Sequence, residues 1–91
     1  MSDALNGRAE ILETINRVAA DVLGSSALEL SEETTARDVS GWDSLSHVQI
    51  VVGVENAFGV RFNSTEIAQL ENTGSLVDLV QKHFQANGGR A

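Results

Sequence analysis

The segment from Asp43 to Gly59, "DSLSHVQIVVGVENAFG", constrains the fold of this chain more than any other. Asp43 supplies an N-cap, a carboxylate able to accept from a backbone N–H that has no partner inside a helix. Gly59 supplies a stop, because glycine adopts the left-handed conformation that ends helices. A helix over Ser44–Phe58 is therefore predicted. At about 100° per residue its side chains separate into faces. His47, Ile50, Val51, Val54, Ala57 and Phe58 fall together and make a core face. Leu45, Val48 and Val52 fall elsewhere, near the line of Ser44, with Gln49, Glu55 and Asn56 interleaved. This second stripe has three readings: scattered surface apolar residues, residues covered by a loop, or a strip on which a partner docks.

The rest of the chain reads as helices with no convincing strand. Ile11, Ile15, Val18 and Val22 form one apolar stripe, widened by Leu12 and Ala19, so a first helix runs from about Gly7 to Leu23 and stops at Gly24. Residues 24–43 form a long connection for which Leu28, Leu30, Val39 and Trp42 are the expected pins to the core. "VRFN" is too short and isolated for a useful strand. A short helix follows over Ser64–Leu70, capped by Asn63 or Ser64. A last one begins at Asn72, Thr73 or Gly74, runs to about Gln85, and turns Leu76, Val77, Val80 and Phe84 inward. The expectation is all-α: a small four-helix bundle, three main helices plus one short helix, with a long loop between helices 1 and 2. It forms one domain over 1–91, with its core at about 9–85 and flexible ends at 1–7 and 86–91.

Composition narrows the function. The chain has 91 residues, no cysteine and two histidines, which leaves no disulfide, no thiolate zinc site and little for a histidine metal site. Thirteen acidic residues against six basic ones give a net charge of -7. Such a surface repels nucleic-acid phosphates and anionic membranes and favours a basic patch on a protein partner. No apolar run is long enough for a membrane span, and the N-terminus has no signal pattern. A cytoplasmic monomer is expected. The acidic loop "ELSEETTARDVSGWD" lacks the alternating ligands and closing glutamate of a calcium loop.

Ser44 is the residue with chemistry to explain. It can be a plain helix-start serine. It can pair with His47 one turn on, but a serine nucleophile also needs an orienting acid, an oxyanion pocket and a strand–turn–helix elbow, none of which is visible here. It can also be an attachment point, because free N–H groups and the helix dipole at a helix N-terminus favour a phosphate.

"DSL" within "GWDSLSHVQIVVGVENAFGVRF" resembles the attachment segment of acyl carrier proteins and related thiolation domains, and the resemblance extends from about Ala9 to Phe84 in element order, length and acidity. It implies a carrier, not an enzyme. Its implied cofactor is 4'-phosphopantetheine esterified to Ser44 by a magnesium-dependent transferase, and the arm's thiol then holds an acyl group as a thioester. Asp43 matches the aspartate that helps coordinate the transferase's metal, and Leu45 the leucine that contacts the transferase. Val48, Gln49, Val52, Glu55 and Phe62, with Leu45, are the implied contacts for acyl-loading and acyl-using enzymes. Ile50, Val54, Phe58, Phe62, Ile67 and Leu70 match positions that form the core or line a space for an acyl chain. An aminoacyl or peptidyl carrier, and a helical interaction module without a prosthetic group, are the alternatives.

The chain also departs from that pattern. Only Glu55 is acidic after Asp43 on the second helix, where carriers of bacterial fatty acid synthesis are strongly acidic; Ser46, Gln49 and Asn56 stand in such places. A specialised carrier is implied, with partners that read a neutral and apolar surface. His47 is expected to be a core-edge histidine, His83 a surface one, and Trp42 a loop anchor.

Overall fold

A computed structural model describes residues 7–88, with side chains through His83. It contains helices α1 (Arg8–Leu23), α2 (Ser44–Phe58), α3 (Ser64–Ala68) and α4 (Thr73–Gly88), with a single 3-10 turn at Ala36–Asp38 inside the long connection. Among the described residues there is no strand. The expectations for residues 1–6 and 89–91, and for the Phe84 side chain, lie outside what is described.

The helix ends follow local chemistry. Gly24 and Gly59 both adopt φ 67°, and their N–H groups close the last turns of α1 and α2 onto Ala20 and Glu55 carbonyls. Asn63 and Glu66 cap α3 reciprocally: the Glu66 N–H donates to Asn63 Oδ1 at 2.8 Å and the Asn63 N–H to Glu66 Oε1 at 3.0 Å. α3 ends two residues before the predicted Leu70, because the Leu70 N–H closes a tight turn on the Ile67 carbonyl at 3.2 Å.

The core gathers Ile11, Ile15 and Ala19 of α1, Ile50, Val51 and Val54 of α2, Val60 and Phe62 of the 59–63 link, and Leu76, Val77, Leu79 and Val80 of α4. Three details correct the helical-wheel reading. The buried line of α1 passes through Ala19, leaving Val18 and Val22 half-buried at its edge, with Val18 packed beside Gly53 of α2. A Cβ on Gly53 would lie 2.6 Å from Val18 Cγ1, so glycine is what permits that approach. Ala57 is exposed although the wheel set it with the core, and Leu79 is buried although the wheel left it out.

The long connection is pinned as its apolar residues suggest. Leu30 is buried, while Leu28, Val39 and Trp42 pack half-buried on the core. Polar groups add ties that periodicity does not report. Asn16 of α1 donates to the Leu28 carbonyl at 3.0 Å and accepts from the Leu30 N–H at 2.7 Å. The Thr73 and Gly74 N–H groups, unpaired donors of the first turn of α4, donate to the Thr34 and Glu32 carbonyls at 2.9 and 2.8 Å. Arg8 bridges Glu32 of the loop and Asp78 of α4, and the guanidinium holds the Glu32 carboxyl below its usual range.

His83 is not a surface residue. It is half-buried, its ring centroid lies 5.3 Å from that of Phe62, and its Nε2 is 2.9 Å from Glu66 Oε1. Glu66 also meets Lys82 at 3.2 Å. The Asn63 N–H, aided by His83 and Lys82, brings the Glu66 carboxyl down to about 2. Because this folded value lies below the unfolded one, the stabilisation is complete above the usual carboxylate range and is lost as pH falls through about 2. Wild type is expected to unfold at higher urea than Glu66→Gln near neutral pH, with the gap closing on acidification between about 4.5 and about 2. A gap independent of pH would contradict this.

Candidate functional site

The site is built at the N-terminus of α2. The Asp43 carboxylate accepts from the Ser46 N–H at 2.9 Å, which makes Asp43 the N-cap the sequence predicts. That backbone hydrogen bond is the main cause holding the Asp43 carboxyl below its usual range. Ser44 is the first helical residue and is exposed. Among the described residues no hydrogen bond engages its hydroxyl. No acidic side chain occupies the first turn of α2, so beyond the Asp43 cap no carboxylate within the helix competes with an anion for the positive end of its dipole.

The segment leading in is tightly held. Gly41 adopts φ 86°, and its carbonyl accepts from the Asp43 N–H at 3.0 Å and from the Ser46 hydroxyl at 2.9 Å. The Trp42 indole N–H donates to His47 Nδ1 at 3.1 Å. An indole only donates, so Nδ1 is the bare nitrogen and the neutral ring carries its proton on Nε2. His47 thus has no free basic nitrogen for Ser44, which removes the catalytic-pair reading. Sequence reasoning missed Ser46 and Gly41 as parts of this site; the signal available was only "GWDS", a glycine shortly before a cap.

The exposed stripe is present. Leu45 is 68% exposed, Val48 56% and Val52 45%, and no part of the loop covers them. Gln49 is exposed beside them. Two expected partner contacts lie elsewhere. Phe62 is only 8% exposed, because after Gly59 the chain turns its apolar residues inward against His83 and the core. Glu55 is half-buried, and its carboxylate accepts from the Phe62 N–H at 2.8 Å. The single carboxylate within α2 is therefore spent on fixing the link to α3.

Of the residues expected to line an acyl space, Ile50 and Val54 are fully buried, while Phe58, Ile67 and Leu70 pack half-buried against the core. A cleft of about 60 Å³ lies nearby, bordered by Trp42, His47, Leu70, Leu76, Thr34 and Thr73 among others. Leu70 is the one residue of the expected lining that borders it. The cleft has room for only a few water-sized groups. No helix among the described residues is long and apolar enough to cross a membrane.

Comparison with known proteins agrees with this geometry. Residues 13–80 match the family described as "Phosphopantetheine attachment site". The acyl carrier protein of Saccharopolyspora erythraea is 35% identical over 72 residues, 79% of this chain and 76% of that protein. The acyl carrier protein of Rubrobacter xylanophilus is 33% identical over 79 residues, 87% of this chain and 98% of that protein. The solution NMR structure of a holo acyl carrier protein from Geobacter metallireducens superposes with a TM-score of 0.81 at 31% identity, covering 89% of this chain and 93% of that one. The chain belongs to the acyl carrier protein family, whose members carry a phosphopantetheine arm and are not catalysts.

Proposed function

We propose that Ser44 bears the 4'-phosphopantetheine and that this carrier delivers acyl thioesters to enzymes of a specialised pathway. The observation that carries the reading is Ser44 itself: an exposed, unengaged hydroxyl at the start of a 15-residue helix, beside an exposed apolar stripe. The residues fit the arm. The α2 dipole favours its phosphodiester, and the Asp43 carboxylate, kept ionised by Ser46, can share a metal ion with the transferase during attachment. When bound, the arm supplies the thiol that a chain without cysteine lacks. Transport then works by tethering, which raises the effective concentration of the substrate at each partner.

Leu45, Val48, Gln49 and Val52 form the docking face for the transferase and the acyl-handling enzymes. With Glu55 turned inward to Phe62, that face is neutral and apolar at its centre, which points away from routine fatty acid synthesis. The chain works as a one-domain monomer in the cytoplasm. Incubation of the apo protein with coenzyme A, Mg²⁺ and a broad-specificity phosphopantetheinyl transferase is expected to add one arm, located on Ser44 by peptide mass. No gain, or an arm elsewhere, overturns the assignment. Binding to a housekeeping ketosynthase is expected to be weak and to change little with salt; tight, salt-sensitive binding would overturn the specialised role.

A further inference from the structure

Trp42 directly precedes Asp43 and Ser44, and His47 lies one turn after Ser44, so their contact straddles the attachment residue. The rings sit with centroids 6.3 Å apart, tilted by 36°, and are joined by the 3.1 Å bond from the indole N–H to His47 Nδ1. Both rings border the cleft of about 60 Å³. The indole packs against the core on one side and borders the cleft on the other, and the hydrogen bond from its N–H to His47 fixes its polar end there. On the other side of Ser44 the Ser46 hydroxyl holds the Gly41 carbonyl. These two ties, one to each residue flanking the Gly41–Trp42 peptide, set the angle at which the 41–43 segment enters α2 and hence where Asp43 and the Ser44 hydroxyl stand relative to one another.

We propose that His47 is a positioning residue for arm attachment, acting through Trp42 to keep the Asp43–Ser44 pair in the arrangement the transferase uses. This rests on Ser44 being the attachment residue. In that reaction a bond forms between Ser44 Oγ and the phosphorus that bears the pantetheine of coenzyme A. The bond from that phosphorus to the bridging oxygen breaks, 3',5'-ADP leaves, and the serine proton passes to a base of the transferase. His47 takes no part in these bond changes. Its contribution is to the fraction of carrier molecules already arranged for them, and a carrier arranged only part of the time shows a raised KM with kcat retained.

The test compares wild type, His47→Leu, which removes the acceptor, His47→Asn, which keeps an acceptor close to the place of Nδ1, and Trp42→Phe, which removes the donor. Arm transfer from coenzyme A is measured with a broad-specificity transferase. The indole N–H cross-peak, unambiguous because the chain has one tryptophan, reports the bond. His47→Leu and Trp42→Phe are expected to raise KM roughly five- to tenfold, the worth of one net hydrogen bond, with kcat unchanged. His47→Leu is also expected to shift the indole peak upfield, and His47→Asn to return both KM and the peak toward wild type. Wild-type KM in His47→Leu, or in Trp42→Phe should His47→Leu not fold, overturns the proposal and leaves the Ser44 assignment standing. A KM raised equally in His47→Asn with the indole peak at its wild-type position also overturns it. An unmodified wild type overturns both.

Discussion

Ser44→Ala is expected to abolish arm attachment while leaving the melting temperature unchanged, and Ser46→Ala to lower the melting temperature while its Ser44 still takes up an arm. The two serines are two positions apart in the first turn of the same helix, yet their surroundings differ. Ser44 is exposed and its hydroxyl holds nothing within the fold, so its removal costs the fold little. Asp43 remains the N-cap, because the bond that makes it one goes to the Ser46 backbone N–H, which the substitution retains. The Ser46 hydroxyl instead ties the Gly41 carbonyl at 2.9 Å, and its loss costs about 0.5–1 kcal/mol, the net value of one hydrogen bond near the surface. Intact mass after incubation with coenzyme A and transferase, beside thermal melts of both variants, reads the two effects separately. Arm attachment in Ser44→Ala, or a lowered melting temperature with it, would show that the hydroxyl serves the fold.

The second large effect separates the two apolar faces of α2. Ile50→Ala removes a side chain with no exposure from the centre of the core. The lost burial and the cavity left behind are expected to cost about 2–5 kcal/mol. For a domain of 91 residues the total stability is on the order of 5–14 kcal/mol, so this one change removes a large share of it and lowers the urea midpoint accordingly. Leu45→Ala truncates a side chain that is 68% exposed, and its effect on stability is expected to stay within about 0.5 kcal/mol. What it loses is an anchor on the docking face, and transferase KM is expected to rise by about fivefold or more. Urea unfolding and attachment kinetics on both variants provide the check. A marked loss of stability in Leu45→Ala, with KM unchanged, would return the stripe to the fold and remove it from the docking face.

The parts of the fold legible in the sequence are those decided by neighbours along the chain. The α2 limits follow from Asp43 and Gly59 because a cap and a left-handed glycine act within a single turn. That Leu45, Val48 and Val52 lie off the core face follows from helical geometry, once Ile50 and Val54 claim the core side; that no loop covers them is a finding of the tertiary structure. The half-burial of Val18 and Val22 and the burial of Leu79 were not legible, since periodicity gives the direction of a helix's apolar face only to within a residue and the packing of neighbouring elements chooses among them. The engagement of Glu55 was hidden, and the choice of Phe62 between the core and the partner face was open. They depend on where the link after Gly59 runs and on which carboxylate lies within reach of an unpaired N–H.

At Ser44 the division is sharper. The residues around it determined by themselves that a helix starts there, that its first turn carries no acid, and that the motif resembles a carrier's attachment segment. Local chemistry alone left helix start, catalytic pair and attachment point all open. Only the tertiary structure placed the Trp42 indole on His47 Nδ1, which withdraws the base from the serine, and only it showed the Ser44 hydroxyl exposed and unengaged. A hydrogen bond between side chains five residues apart depends on how the entering loop turns at Gly41 over the cleft beside α4, and that turn is set by contacts the linear pattern does not record.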